Sequence, residues 1–301
     1  MCTHTKLFDL VSWWSIWIVV GIGACLFLFD RLCKIRKVTD EANRFYYFLG
    51  IIAIIVGFLM ASVVQSFYNY LESVKDGNPR WEWGGVTFMG GLYGGAIAFV
   101  VGALIFAKNN VRAQFDQVCE IGFACIPTAH AFGRIGCFSV GCCYGAKVNP
   151  NDPFAFLGVT FKNGAGAGVL RYPTQLFEAV FLFILAAVCI LMVVKNIKIN
   201  KVIYFAGYGI FRFILEFLRD DDRGVIGLGA SLSPSQVLSI VSVVLSLLML
   251  TLVLLKKYSP VAYGKVAHFF KMDVAFNPDL EVKAVLPETE EEADEDDSEN
   301  E

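Results

Sequence analysis

The stretch PSQVLSIVSVVLSLLMLTLVLL, residues 234–255, runs without a single charge. An α-helix rises 1.5 Å per residue, so about 20 such residues cross the roughly 30 Å hydrocarbon core of a bilayer. Working outward, six more apolar stretches precede it, at roughly 11–29, 45–64, 85–107, 117–137, 175–194 and 202–218. The fourth carries Glu120, Pro127, His130 and Arg134, and the sixth is short and carries Arg212 and Glu216. The composition agrees with this reading. Of 301 residues 56% are hydrophobic and only 18% charged, against about 25% charged in a soluble domain. The expected fold is all-α, a polytopic membrane protein of about seven transmembrane helices. The composition argues against a disordered chain, a disulfide scaffold and a nucleic-acid-binding domain, so no nucleic-acid partner is expected.

The net charge of −3 conceals two regions. Residues 288–301 hold ten carboxylates and no base, so the rest of the chain is net +7. Such a tail reads as a solvated, disordered segment. Lys and Arg are unevenly shared between alternate connections. One side has fourteen (Arg31, Lys34, Arg36, Lys37, Arg44, Lys108, Arg112, Lys195, Lys198, Lys201, Lys256, Lys257, Lys265, Lys271) and the other has eight. The positive-inside rule puts the fourteen in the cytoplasm, the N-terminus outside and the C-terminus inside. The expected domains are a transmembrane helical domain over 1–258 and a cytoplasmic segment, 259–301, ending in the acidic tail. Lys6 is the only base before the first apolar stretch and no small-residue cleavage site follows, so no cleavable signal peptide is expected.

Ionisable groups inside a membrane helix are costly and face a cavity or a partner. Tyr208, Arg212 and Glu216 are spaced four apart and share one helical face, as do His130 and Arg134. An Arg pair facing a cavity suits a phosphate, because the guanidinium fork is permanently charged and bidentate to phosphoryl oxygens. The blander alternative is an Arg212–Glu216 ion pair that neutralises itself. His130 reads equally as a satisfied structural histidine or a base. The run Gly133 to Gly145 contains Cys137, Cys142 and Cys143; Cys-x4-Cys-Cys matches no standard zinc spacing and supplies too few ligands for one. Cys137 could pair with either neighbour in an oxidising compartment. Gly90-x3-Gly94 and Gly91-x3-Gly95 are small-residue faces that read either as tight helix packing or as lipid contact.

Four of these stretches, in order, resemble motifs of the prolipoprotein diacylglyceryl transferase family, over about residues 80–250. Gly84 to Gly95 is similar to the opening of that family's third helix. Gly133-Arg134-Ile135-Gly136 with Phe138 and Gly141 resembles its GRxGNFxNxE signature. Tyr172-Pro173-Thr174-Gln175-Leu176-Phe177-Glu178 resembles its HPSQLYE segment. Tyr208, Gly209, Arg212, Glu216 and Arg219 resemble its YGxxRxxxExxR helix. The family usually has His where this chain has Met89, Asn at Cys137 and Val140, Glu at Cys142 and His at Tyr172. The GCFxxGCCYG form looks like a cysteine-bearing branch.

The resemblance implies transfer of a diacylglyceryl group from phosphatidylglycerol, an anionic phospholipid, to the lipobox cysteine of prolipoproteins in the bacterial cytoplasmic (inner) membrane. It implies no metal or organic cofactor. The residues expected to carry catalysis are His130, Arg134, Arg212 and Glu216, and substrate binding Tyr208, Cys137, Gly136, Gly145, Gln175 and Arg219; His130 is a candidate from this chain's own residues, not a position the family supplies. Arg134 and Arg212 hold the phosphate and stabilise the departing glycerol phosphate. His130 takes the thiol proton, since the family's usual His position is Met89. Two other readings stand beside this one: a lipid-binding or assembly protein on the same scaffold, and a membrane thiol-redox protein using Cys137 with Cys142 or Cys143.

Overall fold

The computed structural model describes residues 6–7, 11–75, 77–85, 87–149, 151–162, 166–220, 232–259 and 262–264. The acidic tail lies outside them. A long helix occupies each of the seven apolar stretches. These are α1 (Trp13–Ile35), α2 (Asp40–Lys75), α3 (Phe88–Phe106), α5 (Phe115–Ser139), α6 (Thr174–Val194), α7 (Asn200–Glu216) and α8 (Pro234–Tyr258), with the single turn α4 (Asn109–Arg112) between α3 and α5. Among the described residues four of them, α1, α2, α6 and α8, are long and apolar enough to cross a membrane, and residues 90–106 of α3 form a shorter apolar helix. In α5 and α7 ionisable residues interrupt the apolar run, and α7 has only 17 residues. Helix α2 runs well past the expected 45–64, because Asp40 and Glu41 favour its N-terminal end electrostatically although neither is apolar. The outward faces stay greasy, with Val19, Phe106 and Leu247 more than half exposed, as expected where lipid is the solvent.

The chain forms two compact units. One takes in the described residues of 37–118 and is built on α2 and α3. Here the small-residue faces do packing work. A Cβ on Gly94 would lie 2.5 Å from Met60 Cβ, one on Gly90 2.8 Å from Val64 Cβ, and one on Gly57 2.8 Å from the Gly91 carbonyl. The two glycine faces therefore bring α3 against α2 of the same chain, which settles their reading in favour of helix packing. Thr87 Oγ1 donates to Gln65 Oε1 at 2.6 Å and ties the start of α3 to α2.

The other unit comprises residues 1–36 and 119–266. A short antiparallel pair, β1 (Lys6–Leu7) and β2 (Val11–Ser12), precedes α1, whose first turn is capped by Ser12. Gly21 admits Phe132 and the Ala129 carbonyl of α5 within 3.0 Å of where a Cβ would sit. Helices α7 and α8 meet where Gly209 faces the Ser239 carbonyl, and α6 and α7 through the stacked rings of Phe181 and Phe211. The start of α7 is fixed to α5: Glu120 Oε2 accepts the Asn200 backbone N–H at 2.6 Å, and Glu120 Oε1 pairs with Lys201 at 3.1 Å. The long connection from α5 to α6 carries a 3₁₀ turn (Ala155–Leu157) and a hairpin of β3 (Val159–Thr160) and β4 (Leu170–Arg171).

Candidate functional site

Helical spacing alone aligns His130 with Arg134 on α5, and Tyr208, Arg212 and Glu216 on α7. Between them α6 contributes Glu178, which is 0% exposed. Its Oε1 accepts the Tyr208 hydroxyl at 2.8 Å and forms an ion pair with Arg134 Nε at 3.0 Å, with His130 Nε2 at 3.8 Å. The Tyr208 hydroxyl also lies 3.5 Å from His130 Nε2. One turn along α7, Arg212 pairs with Glu216 at 2.7 Å and donates to Ser235 Oγ at 2.9 Å. Ser233 Oγ donates to Glu216 Oε1 at 2.6 Å, and Arg219 Nε stands 3.9 Å from Glu216 Oε2. Arg134 and Arg212 both lie within electrostatic reach of Glu178.

Burying charge this way is favourable only when partners compensate it. Among these described groups, three guanidiniums (Arg134, Arg212, Arg219) face two carboxylates (Glu178, Glu216).

A cap of irregular chain fixes the ends of α5, α6 and α7. Gly145 N–H donates to the Tyr172 carbonyl at 2.9 Å and Ala146 N–H to the Leu218 carbonyl at 2.9 Å. A side chain at Gly145 would strike Thr174, Leu218 and Tyr172. Arg171 locks the same corner. It pairs with Asp220 at 2.8 Å, donates to the Gly145 carbonyl at 3.3 Å and lies over the Tyr144 ring.

The expected site residues thus fall into groups. His130, Arg134 and Tyr208 meet at Glu178, while Arg212 and Arg219 meet at Glu216. Gln175 is fully buried and donates to the Cys142 carbonyl at 2.5 Å; Cys137 sits among the other two cysteines. Gly136 lets α5 approach α1, where a Cβ would meet Trp14 and Trp17, and Gly145 belongs to the cap. Tyr208 was expected to offer its hydroxyl to a lipid headgroup; the hydroxyl is engaged by Glu178. Met89 lies on α3, in the other unit, with its side chain outside the described residues. All described cysteines are free thiols. Donation of the Cys142 S–H to the Cys137 and Cys143 sulfurs, and then burial, push the Cys142 thiol above its ordinary pKa.

Sequence reasoning missed the hub. Glu178 was read as part of a motif and given no role, although it is the only charged residue in the stretch 175–194. That solitary charge in an apolar helix was the available signal.

The sequence model of the family described as prolipoprotein diacylglyceryl transferase matches residues 5–252. A phosphatidylglycerol–prolipoprotein diacylglyceryl transferase of Clostridium tetani is 31% identical over 240 residues, covering 76% of this chain and 88% of the relative. The proteins of that name from Rickettsia bellii and Helicobacter hepaticus are 30% and 28% identical, covering 76% and 87% of this chain and 86% and 92% of their own lengths.

Proposed function

The chain belongs to the prolipoprotein diacylglyceryl transferase family, and from that premise we propose that it moves a diacylglyceryl group from phosphatidylglycerol to the cysteine thiol of a prolipoprotein. The observation that carries this reading is a buried cluster in which Arg134 of α5 and Arg212 of α7 both lie within electrostatic reach of Glu178 on α6. A phosphodiester headgroup is an anion, and paired guanidinium forks recognise its phosphoryl oxygens. The names of the relatives favour transfer over a binding-only or thiol-redox role.

Arg134 and Arg212 hold the phosphate. Glu178 and Glu216 fix the two guanidiniums, and Tyr208 and Ser235 hold that pair of contacts in register. His130 accepts the proton of the incoming thiol, because the thiolate is the nucleophile. The sulfur then forms a bond to the diacylglyceryl carbon as that carbon's bond to the phosphate oxygen breaks, and glycerol phosphate leaves. The negative charge gathering on the leaving oxygen is met by donors already in place, and such preorganised donors lower a barrier by about 3–4 kcal/mol each. Gln175, Gly136, Gly145, Cys137 and Arg219 shape the surroundings of the headgroup.

In this reading all seven long helices cross the inner membrane of a bacterium, with the N-terminus outside and the C-terminus, including the segment 259–301, in the cytoplasm. The Lys and Arg asymmetry supports that orientation. It puts Arg134, Glu178 and Arg212 in the outer half of the bilayer, where exported prolipoproteins arrive. The test is transfer of radiolabelled diacylglycerol from phosphatidylglycerol vesicles to a lipobox peptide, with complementation of a transferase-depleted strain. Wild-type protein should support both, and Arg212→Ala neither. Complementation by Arg212→Ala at wild-type level would refute the phosphate clamp.

A further inference from the structure

The Sγ atoms of Cys137, Cys142 and Cys143 all lie within 4.8 Å of one another. The local fold explains why. Helix α5 ends in a Schellman motif. Gly141 adopts the left-handed conformation (φ 68°), its N–H donates to the Phe138 carbonyl at 3.1 Å, and the Cys142 N–H reaches back to the Cys137 carbonyl at 3.1 Å. That motif brings the residue two beyond the helix cap against the residue three before it, here Cys142 against Cys137. Cys143 is itself left-handed (φ 62°), an uncommon state for a residue with a side chain. Thr174 Oγ1 holds its carbonyl at 3.1 Å, and Gln175 holds that of Cys142. The turn is thus bound to α6 from outside, and the three sulfurs converge by construction.

We propose that these three cysteines form a binding site for one soft, thiophilic monovalent cation of the Cu(I) class. Thiolate sets select soft d10 metals. Among the described residues no His, Asp or Glu joins the cluster, so it offers three sulfurs, a trigonal set, and lacks the fourth ligand a structural zinc requires. Binding replaces three S–H bonds by three metal–sulfur bonds and releases up to three protons to solvent. The resulting negative charge lies within electrostatic reach of Arg134, which interacts with both Cys137 and Cys143. The site adjoins the transfer site through Cys137 and Arg134, but its test reads metal directly and so fails or stands apart from the transfer reading.

The experiment uses the full-length protein, reduced and anaerobic in detergent, titrated with Cu(I) against a chromophoric Cu(I) chelator. The comparison is the triple variant Cys137→Ser, Cys142→Ser, Cys143→Ser, which keeps the six other cysteines as background. The wild type should take up one equivalent, with affinity more than about 100-fold above the variant's. X-ray absorption on the loaded wild type, which needs no variant to fold, should show a shell of three sulfurs. Equal uptake by the two proteins, a shell containing nitrogen or oxygen, preferential retention of Zn(II) in a four-ligand shell, or a disulfide among the three in the reduced protein would each overturn the proposal.

Discussion

Replacing Arg134 separates what the cluster does for folding from what it does for chemistry. In Arg134→Ala the fully buried Glu178 loses the guanidinium at 3.0 Å but keeps the Tyr208 hydroxyl at 2.8 Å. Breaking one side of a buried pair costs about 3–5 kcal/mol, because the surviving charge is stranded. Arg212 still acts on Glu178, so the lower end, about 3 kcal/mol, is expected. The phosphate loses its donors at the same time, and removing one oxyanion donor costs about 10²–10³ in kcat. The double variant Arg134→Ala/Glu178→Gln removes the stranded charge and leaves an amide oxygen for Tyr208. It should recover most of the lost thermal stability and none of the lost transfer. Arg134→Lys keeps the charge but has no fork to serve Glu178 and phosphate together, so it should fold normally and transfer about 100-fold more slowly. Thermal melts in detergent and initial rates on labelled phosphatidylglycerol give the two readouts. The reasoning fails if the double variant regains transfer along with its stability, or if Arg134→Lys turns over at the wild-type rate.

His130→Gln should leave the melting temperature nearly unchanged and lower kcat by about 10²–10⁴, the usual contribution of a general base; normal turnover would assign the thiol proton elsewhere. Gly94→Ala, whose new Cβ lands 2.5 Å from Met60 Cβ, should destabilise α2 and α3 by about 1–3 kcal/mol in a melt. Gly50→Ala, with nothing within 4 Å, should be neutral or slightly stabilising, and equal effects at the two positions would deny the glycine-face packing. Glu120→Gln weakens the anchor of α7 at Asn200 and Lys201 and should cost about 1.5–3 kcal/mol, the worth of hydrogen bonds to a charged group; an unchanged melt would show that α7 is placed by its apolar contacts alone.

The positions of the seven long helices were legible in the chain because an apolar run of bilayer length is a local property, read without knowing any neighbour. Spacings of four were legible for the same reason: they set Arg212 beside Glu216 and His130 beside Arg134 before any packing is known. Glu178 is the opposite case. Its meaning comes from Arg134, 44 residues earlier, and Tyr208, 30 residues later, and no helical period connects residues on different helices. The cysteines show the same division. Their spacing looked unsuited to a zinc, and only the left-handed backbone at Gly141 and Cys143, held by Thr174 and Gln175 from α6, turns three sulfurs inward. The chain alone sets which segments are helical and what each face carries, since those depend on near neighbours. Which faces meet, and so which charges compensate one another, depends on close packing between distant segments, and that the folded structure decides.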